Sequence, residues 1–320
     1  MSAIVQIEDL CVTFSGRGKP VRVVDHVSLS LEKGSVLVLL GESGSGKSVT
    51  LRSLLRLHPE KTSQVEGRIL IDGQDVMALS KDETADLRGA RVSMIFQEPM
   101  LALDPVYTLG EQIVETILRH ERVTPAEARA RALDLFERVQ IPSPERRLDT
   151  YPHEMSGGMR QRAMIALALA CRPDVLLADE PTTALDATVQ IQILVLLKKL
   201  QRDFGLSIIF VTHDIGVAVE IGERNAVMYA GRIVESGSVA DVLRHPRHPN
   251  TRGLLASRVE RARKGDRLQT IPGSPPDLAA LPPGCAFAPR CAQAVEGCRQ
   301  QKPQLVPRGD GHSVACMVQP

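Results

Sequence analysis

The sequence predicts an α/β fold with a parallel-sheet core, and three observations carry that expectation. Residues 35–40 (SVLVLL) form a short apolar run, the pattern of a strand buried on both faces. The run passes at once into a Gly-rich loop and a helix-like stretch that begins near Lys47. Residues 175–178 (VLLA) and 207–212 (SIIFVT) also read as strands, with the helical run 188–204 between them, so they form a βαβ unit with parallel strands. Residues 4–14 and 23–31 alternate apolar and polar side chains and are rich in Val and Ile, which suits an antiparallel sheet ahead of the core.

The remaining segments follow in order. From about 81 to 172 the pattern is mostly helical, with stretches such as 126–139 rich in Ala, Arg, Glu and Leu. Residues 226–235 (AVMYAGRIVE) read as a hairpin closing around Ala230 and Gly231. Past about Gly237 the composition changes: 244–253 is rich in His, Pro and Arg, and 272–307 is crowded with Pro, Gly and Cys. Little regular structure is expected there. No internal repeat occurs, so the chain carries one copy of its core.

Composition narrows the function. At 320 residues the chain has room for one large domain and an appendage, or for two modest domains. A formal net charge of +1 lacks the basic excess of a dedicated nucleic-acid binder. The N-terminus MSAIVQIEDL shows no secretory signal, and no run approaches the ~18 apolar residues that a spanning helix needs. Any membrane association is therefore expected through partner proteins.

Gly41-Glu-Ser-Gly-Ser-Gly46-Lys47-Ser48 matches the phosphate-loop pattern G-x-x-x-x-G-K-[ST], in the required place between a buried strand and a helix. Glycines let backbone N–H groups curl around phosphates, and the helix N-terminus adds its positive end. Lys47 would reach the β and γ phosphates, and the Ser48 hydroxyl would hold Mg²⁺. The second strand, 175–178, ends in Asp179 and Glu180, which suits a metal-holding carboxylate followed by a base for the attacking water.

Ser156-Gly157-Gly158-Met159-Arg160-Gln161 resembles the signature motif of ABC transporter ATPases, with Met155 where Leu is usual and Met159 where Gln is common. Gln97, in Met94-Ile-Phe-Gln97-Glu98-Pro99, resembles the Q-loop glutamine of that family. Ala184-Leu185-Asp186 resembles its D-loop, and His213 its switch histidine. Phe14 stands where the family places an aromatic against adenine, although a core Phe explains it nearly as well. The likeness spans essentially the whole chain. It points to the oligopeptide and dipeptide importer ATPases through Phe96-Gln97-Glu98-Pro99, the run 179–186 (DEPTTALD) and the tail. There His245-Pro-Arg-His-Pro249-Asn250-Thr251 resembles an HPxHPYT stretch, with Asn250 in place of Tyr.

The resemblance implies a P-loop NTPase (RecA-like) core with an antiparallel β subdomain, a helical subdomain inserted at about 90–165, and an irregular Cys-rich C-terminal extension. The nucleotide-binding domain would cover 1–237 and the extension 238–320. It implies ATP-binding residues Phe14, Gly41, Ser43, Gly44, Ser45, Gly46, Lys47, Ser48, Val49, Gln97, Ser156, Gly157, Gly158 and Asp186. Ser48, Gln97 and Asp179 would attend Mg²⁺, and Glu180, His213 and Gln97 would be catalytic. The expected function is ATP hydrolysis coupled to uptake of di- or oligopeptides. The alternatives are an importer of nickel or another small solute, or a soluble ABC ATPase of DNA repair or translation. Expected partners are a second ABC ATPase subunit, paralogous or identical, two membrane permease subunits and an extracytoplasmic solute-binding protein, with no nucleic acid. The chain would sit peripherally on the cytoplasmic face of the inner or plasma membrane.

Six cysteines fall into two groups. Cys11 and Cys171 are isolated among apolar neighbours and read as buried thiols. Cys285, Cys291, Cys298 and Cys316 are spaced C-x₅-C-x₆-C-x₁₇-C, without the close pairs of a zinc knuckle. A 4Fe–4S cluster suits that spacing best; Zn²⁺ and free or disulfide-prone thiols are the alternatives.

Overall fold

The structure, a computed structural model, describes residues 3–16, 18–183, 185–257, 270–309 and 311–318. In chain order, β1 (Ala3–Phe14) and β2 (Val21–Glu32) are the expected long strands, and β3 (Val36–Leu40) is buried at all five positions. Helix α1 (Lys47–Leu54) starts directly from the Gly-rich loop. Strands β4 (Ser63–Ile71) and β5 (Gln74–Asp75) follow, then α2 (Lys81–Ala90), whose first turn closes with a Ser80–Glu83 capping box. The predicted helical stretch is interrupted by a fully buried strand, β6 (Val92–Ile95), too short for its alternation to stand out. Helices α3 (Pro99–Ala102), α4 (Leu109–His120), α5 (Pro125–Arg138), α6 (Pro144–Leu148) and α7 (Gly157–Ala168) come next. The βαβ unit is β7 (Val175–Asp179), α8 (Ala187–Phe204) and β8 (Ser207–Thr212). Then come α9 (Ile215–Ile221), β9 (Arg224–Tyr229), β10 (Arg232–Ser238), α10 (Val239–Arg244) and α11 (Pro249–Ala256). The tail carries α12 (Glu296–Gln300), β11 (Val306–Pro307) and β12 (Ser313–Val314).

The chain divides into two compact units. One comprises Met1–Ile4, Leu31–Ser35 and Ala78–Phe210. Here β6 pairs in parallel with β7, Val92 opposite Val175 through Ile95 opposite Ala178, and β8 lies on the other side of β7. Helices α4, α5 and α7 bury Ile113, Ile117, Leu135, Phe136 and Ile165. Thr108 and Thr124 open α4 and α5 with capping boxes, which explains why both start where they do. Arg131 grips Glu121 with two parallel hydrogen bonds of 2.5 and 2.8 Å, and this holds the carboxyl below its usual range.

The other unit comprises Val5–Ser30, Val36–Met77 and Val211–Pro320. It holds an antiparallel sheet in the order β2-β1-β4-β5 and a run of strands in the order β11-β12-β10-β9-β3. Strand β3 pairs in parallel with β9, and β9 turns back antiparallel into β10 through Ala230 (φ 47°) and Gly231 (φ 82°), the expected hairpin. The tail is more regular than its composition suggests, because β12 pairs with β10 and β11 with β12. Fully buried Glu235 on β10 fastens it: its carboxylate accepts the backbone N–H of Arg247 (2.6 Å) and His248 (3.0 Å) and meets His312 Nε2 at 2.8 Å. A buried carboxylate needs such partners, and here they come from two separate stretches of the tail.

Candidate nucleotide-binding site

The Gly-rich loop is closed on itself. Lys47, 4% exposed, donates from Nζ to the carbonyls of Gly41 (2.8 Å) and Glu42 (2.9 Å), and the Ser45 N–H donates to Glu42 O at 3.2 Å. Gly46 has φ 105°, and a Cβ there would lie 2.8 Å from the Val23 carbonyl oxygen, so only glycine fits where the loop turns into α1. The buried Ser45 hydroxyl makes no hydrogen bond among the described residues. Ser43 and Gly44 are exposed, and Ser48 and Val49 are half-buried in the first turn of α1. The loop is thus a tight backbone turn with a lysine tethered beneath it and an orphaned hydroxyl inside it.

In the other unit, β7 ends in fully buried Asp179, and the chain then enters the left-handed region at Glu180 (φ 45°). A glutamate is uncommon there, and such a backbone aims its side chain out of the strand's line. Thr183 Oγ1 donates to Glu180 Oε2 at 3.0 Å, and Gln97 Nε2 donates to the same oxygen at 3.4 Å. Two predicted residues 83 positions apart thus meet, because β6 and β7 are parallel neighbours ending at the same edge. Asp186 caps α8 by accepting the Val189 N–H at 3.0 Å. Ser156 caps α7 by accepting the Met159 N–H, leaving Ser156 and Gly157 exposed at the helix start. A Cβ on Gly158 would lie 3.0 Å from Val189, so the starts of α7 and α8 touch. Ala184 lies outside the described residues.

His213 is exposed at the end of β8, just ahead of α9, which Asp214 caps. Half-buried Phe14, on the last position of β1, meets His58 edge-on with ring centroids 5.4 Å apart. Cys285, Cys291, Cys298 and Cys316 all line one small cavity with His248 and Phe287, while Cys11 and Cys171 are buried elsewhere, as expected. Burial, with the other thiols nearby, pushes the Cys285 and Cys291 thiols up.

Residues 24–183 match the family described as "ABC transporter", half of the chain, and residues 234–298 match "Oligopeptide/dipeptide transporter, C-terminal region". The chain belongs to the ABC transporter ATP-binding family. It is 46% identical over 320 residues to the dipeptide transport ATP-binding protein DppD of Bacillus subtilis, covering 100% of this chain and 96% of that one. It is also 46% identical to the oligopeptide transport ATP-binding protein OppD of the same organism, covering 98% and 88%. A dimeric ATP-binding cassette solved in a post-hydrolysis state with ADP and Pi superposes with a TM-score of 0.66 at 31% identity, covering 73% of this chain and 98% of that one. As a member of this family the chain is an ATP-hydrolysing enzyme, and the expected α/β cassette fold stands. Among the described residues no helix is long and apolar enough to cross a membrane.

Sequence reasoning missed one candidate residue in each unit. Thr183 sits inside the quoted 179–186 run, and its hydroxyl three positions after Glu180 was the available signal. Arg290 reaches the Gly-rich loop from 248 positions away, and nothing in its local sequence marks that contact.

Proposed function

We propose that this chain is the ATPase subunit of a membrane importer for di- or oligopeptides, using one nucleotide site per cassette. The observation that carries the reading is the joint presence of a glycine-only phosphate cradle with a tethered lysine and a tail matching the oligopeptide/dipeptide transporter C-terminal region. In this reading the ATP phosphates lie in the 41–48 loop. Lys47 exchanges its two carbonyl partners for phosphate oxygens, and the orphaned Ser45 hydroxyl gains an acceptor. Ser48, Gln97 and Asp179 attend Mg²⁺, whose charge would neutralise the β and γ phosphates. Glu180 takes the proton of the attacking water, held in place by Thr183 and Gln97, and His213 senses the γ-phosphate. Phe14 stacks on adenine.

Ser156 and Gly157, exposed at the start of α7, and half-buried Gly158 beside them complete the site of a second cassette, with Asp186 at the seam. That second cassette is a paralogue or an identical chain. Two permease subunits and an extracytoplasmic solute-binding protein complete the importer, which places the chain peripherally on the cytoplasmic face of the membrane. Residues 1–237 act as the nucleotide-binding domain and 238–320 as the extension.

The four tail cysteines suit a 4Fe–4S cluster. They line one small cavity with His248 and Phe287, and four thiols are the donor set that such a cluster takes. The cluster would cross-link the tail, and its binding releases the thiol protons.

The test is transport. Reconstituted with its membrane and binding-protein partners, the chain should support ATP-dependent uptake of labelled dipeptide, and Lys47→Ala should stop it. ATP-dependent accumulation of nickel without peptide would overturn the substrate reading.

A further inference from the structure

Arg290 closes the short turn Ala288–Arg290, one residue before Cys291, and its guanidinium leaves the tail for the Gly-rich loop. Nη1 donates to Glu42 Oε2 at 2.7 Å and Nη2 to Glu42 Oε1 at 3.2 Å, a fork-on-carboxylate pair. Nε donates to the Pro272 carbonyl at 2.9 Å, and Nη1 also reaches Tyr229 Oη at 3.3 Å. The guanidinium carbon lies 5.9 Å from the ring centre of Phe287 and 6.0 Å from that of Tyr229. The Arg290 side chain is 8% exposed and that of Glu42 19% exposed, so solvent screens this pair far less than a surface one.

Glu42 is not a passive partner. It is the second residue of the phosphate loop, and its backbone carbonyl both accepts from Lys47 Nζ and receives the Ser45 N–H. Holding the Glu42 side chain therefore holds the peptide that places the lysine. The pairing also neutralises a carboxylate beside which four phosphate charges must settle. Unpaired, that carboxylate would repel them across a partly buried space, where charges interact strongly.

We propose that Arg290 is a positioning residue for the phosphate loop, through which the Cys-bearing tail sets the affinity of the cassette for ATP. The proposal rests on the reading that ATP phosphates occupy the 41–48 loop. It makes the tail part of the nucleotide site's geometry rather than an appendage.

The test uses the full-length protein, with ATP affinity followed by titration of a fluorescent ATP analogue and hydrolysis by steady-state kinetics. Arg290→Met should raise Kd and KM for ATP on the order of tenfold while kcat stays within about threefold, because the water-activating residues are untouched. Adding Glu42→Gln to Arg290→Met should recover part of the lost affinity, since the unpaired charge disappears with it while the loop peptide stays unheld. A role confined to tail stability predicts no such recovery. An unchanged Kd in Arg290→Met, or a double variant no better than the single one, overturns the proposal. If Arg290→Met does not fold, Arg290→Lys keeps charge and stem while losing the fork, and a wild-type Kd there overturns it equally. Lys47→Ala separates the underlying reading: if that variant binds the analogue like wild type, the loop is not the phosphate site, whatever Arg290 does.

Discussion

Thr183 Oγ1 hydrogen-bonds Glu180 Oε2 at 3.0 Å, fixing the carboxylate that follows the buried end of β7. The oxygen so held also accepts from Gln97, and the backbone of Glu180 is left-handed, so the side chain has few alternative directions. Glu180→Gln preserves the shape and removes the carboxylate proposed as the base. ATP binding should remain near wild type while turnover falls by at least ~10²-fold, a loss confined to kcat. Hydrolysis at a wild-type rate would remove Glu180 from that role. Thr183→Val should lower kcat by a smaller factor with Glu180 still present.

Two glycines of one loop should respond differently to alanine. Gly44 has φ 77° with open space around its missing Cβ, so Gly44→Ala meets only backbone strain, of roughly 1–2 kcal/mol. Gly46 has φ 105° and the Val23 carbonyl against it, so Gly46→Ala must also displace backbone. Thermal melts should show the larger loss for Gly46→Ala, together with lost ATP binding. Equal melting points would contradict the close approach.

His248 makes the tail sensitive to acid. Burial, with the charge of Arg252 adding to it, pushes its imidazole down to about 4 from an ordinary 6.5. The unfolded chain takes up a proton near 6.5 while the folded chain resists until about 4, so stability rises with pH across that window. The contribution is complete above about 6.5 and fades as pH falls to about 4, by about 3 kcal/mol at most. Urea midpoints at pH 7.5 and 5 should differ in wild type and converge in His248→Asn. An identical pH dependence in both would exclude His248 as the source.

Metal analysis decides what the four tail thiols hold. Protein purified without oxygen should be brown and carry about four irons per chain, with the colour lost in Cys298→Ser. A colourless preparation with a single zinc would refute the cluster.

Much of this molecule is written locally. The phosphate loop is legible because a glycine-rich turn between a buried strand and a helix obeys short-range rules, and β3, the loop and α1 appear where those rules put them. The 179–186 run and the Ser156 cap are legible for the same reason: each is a strand end or a helix start whose chemistry lies within a few residues. Strand β6 was hidden, since four buried residues between helices have no periodicity of their own. The order in the tail was hidden too, because β11 and β12 exist only by pairing onto β10.

What tertiary structure alone decided are the long-range pairings. Gln97 meets Glu180 because two parallel strands end together, Glu235 gathers Arg247, His248 and His312, and Arg290 crosses 248 positions to grip Glu42. Residue type and spacing reveal which groups can bind phosphate or metal. A side chain's partner across a fold depends on where packing brings its backbone, and no local pattern carries that information.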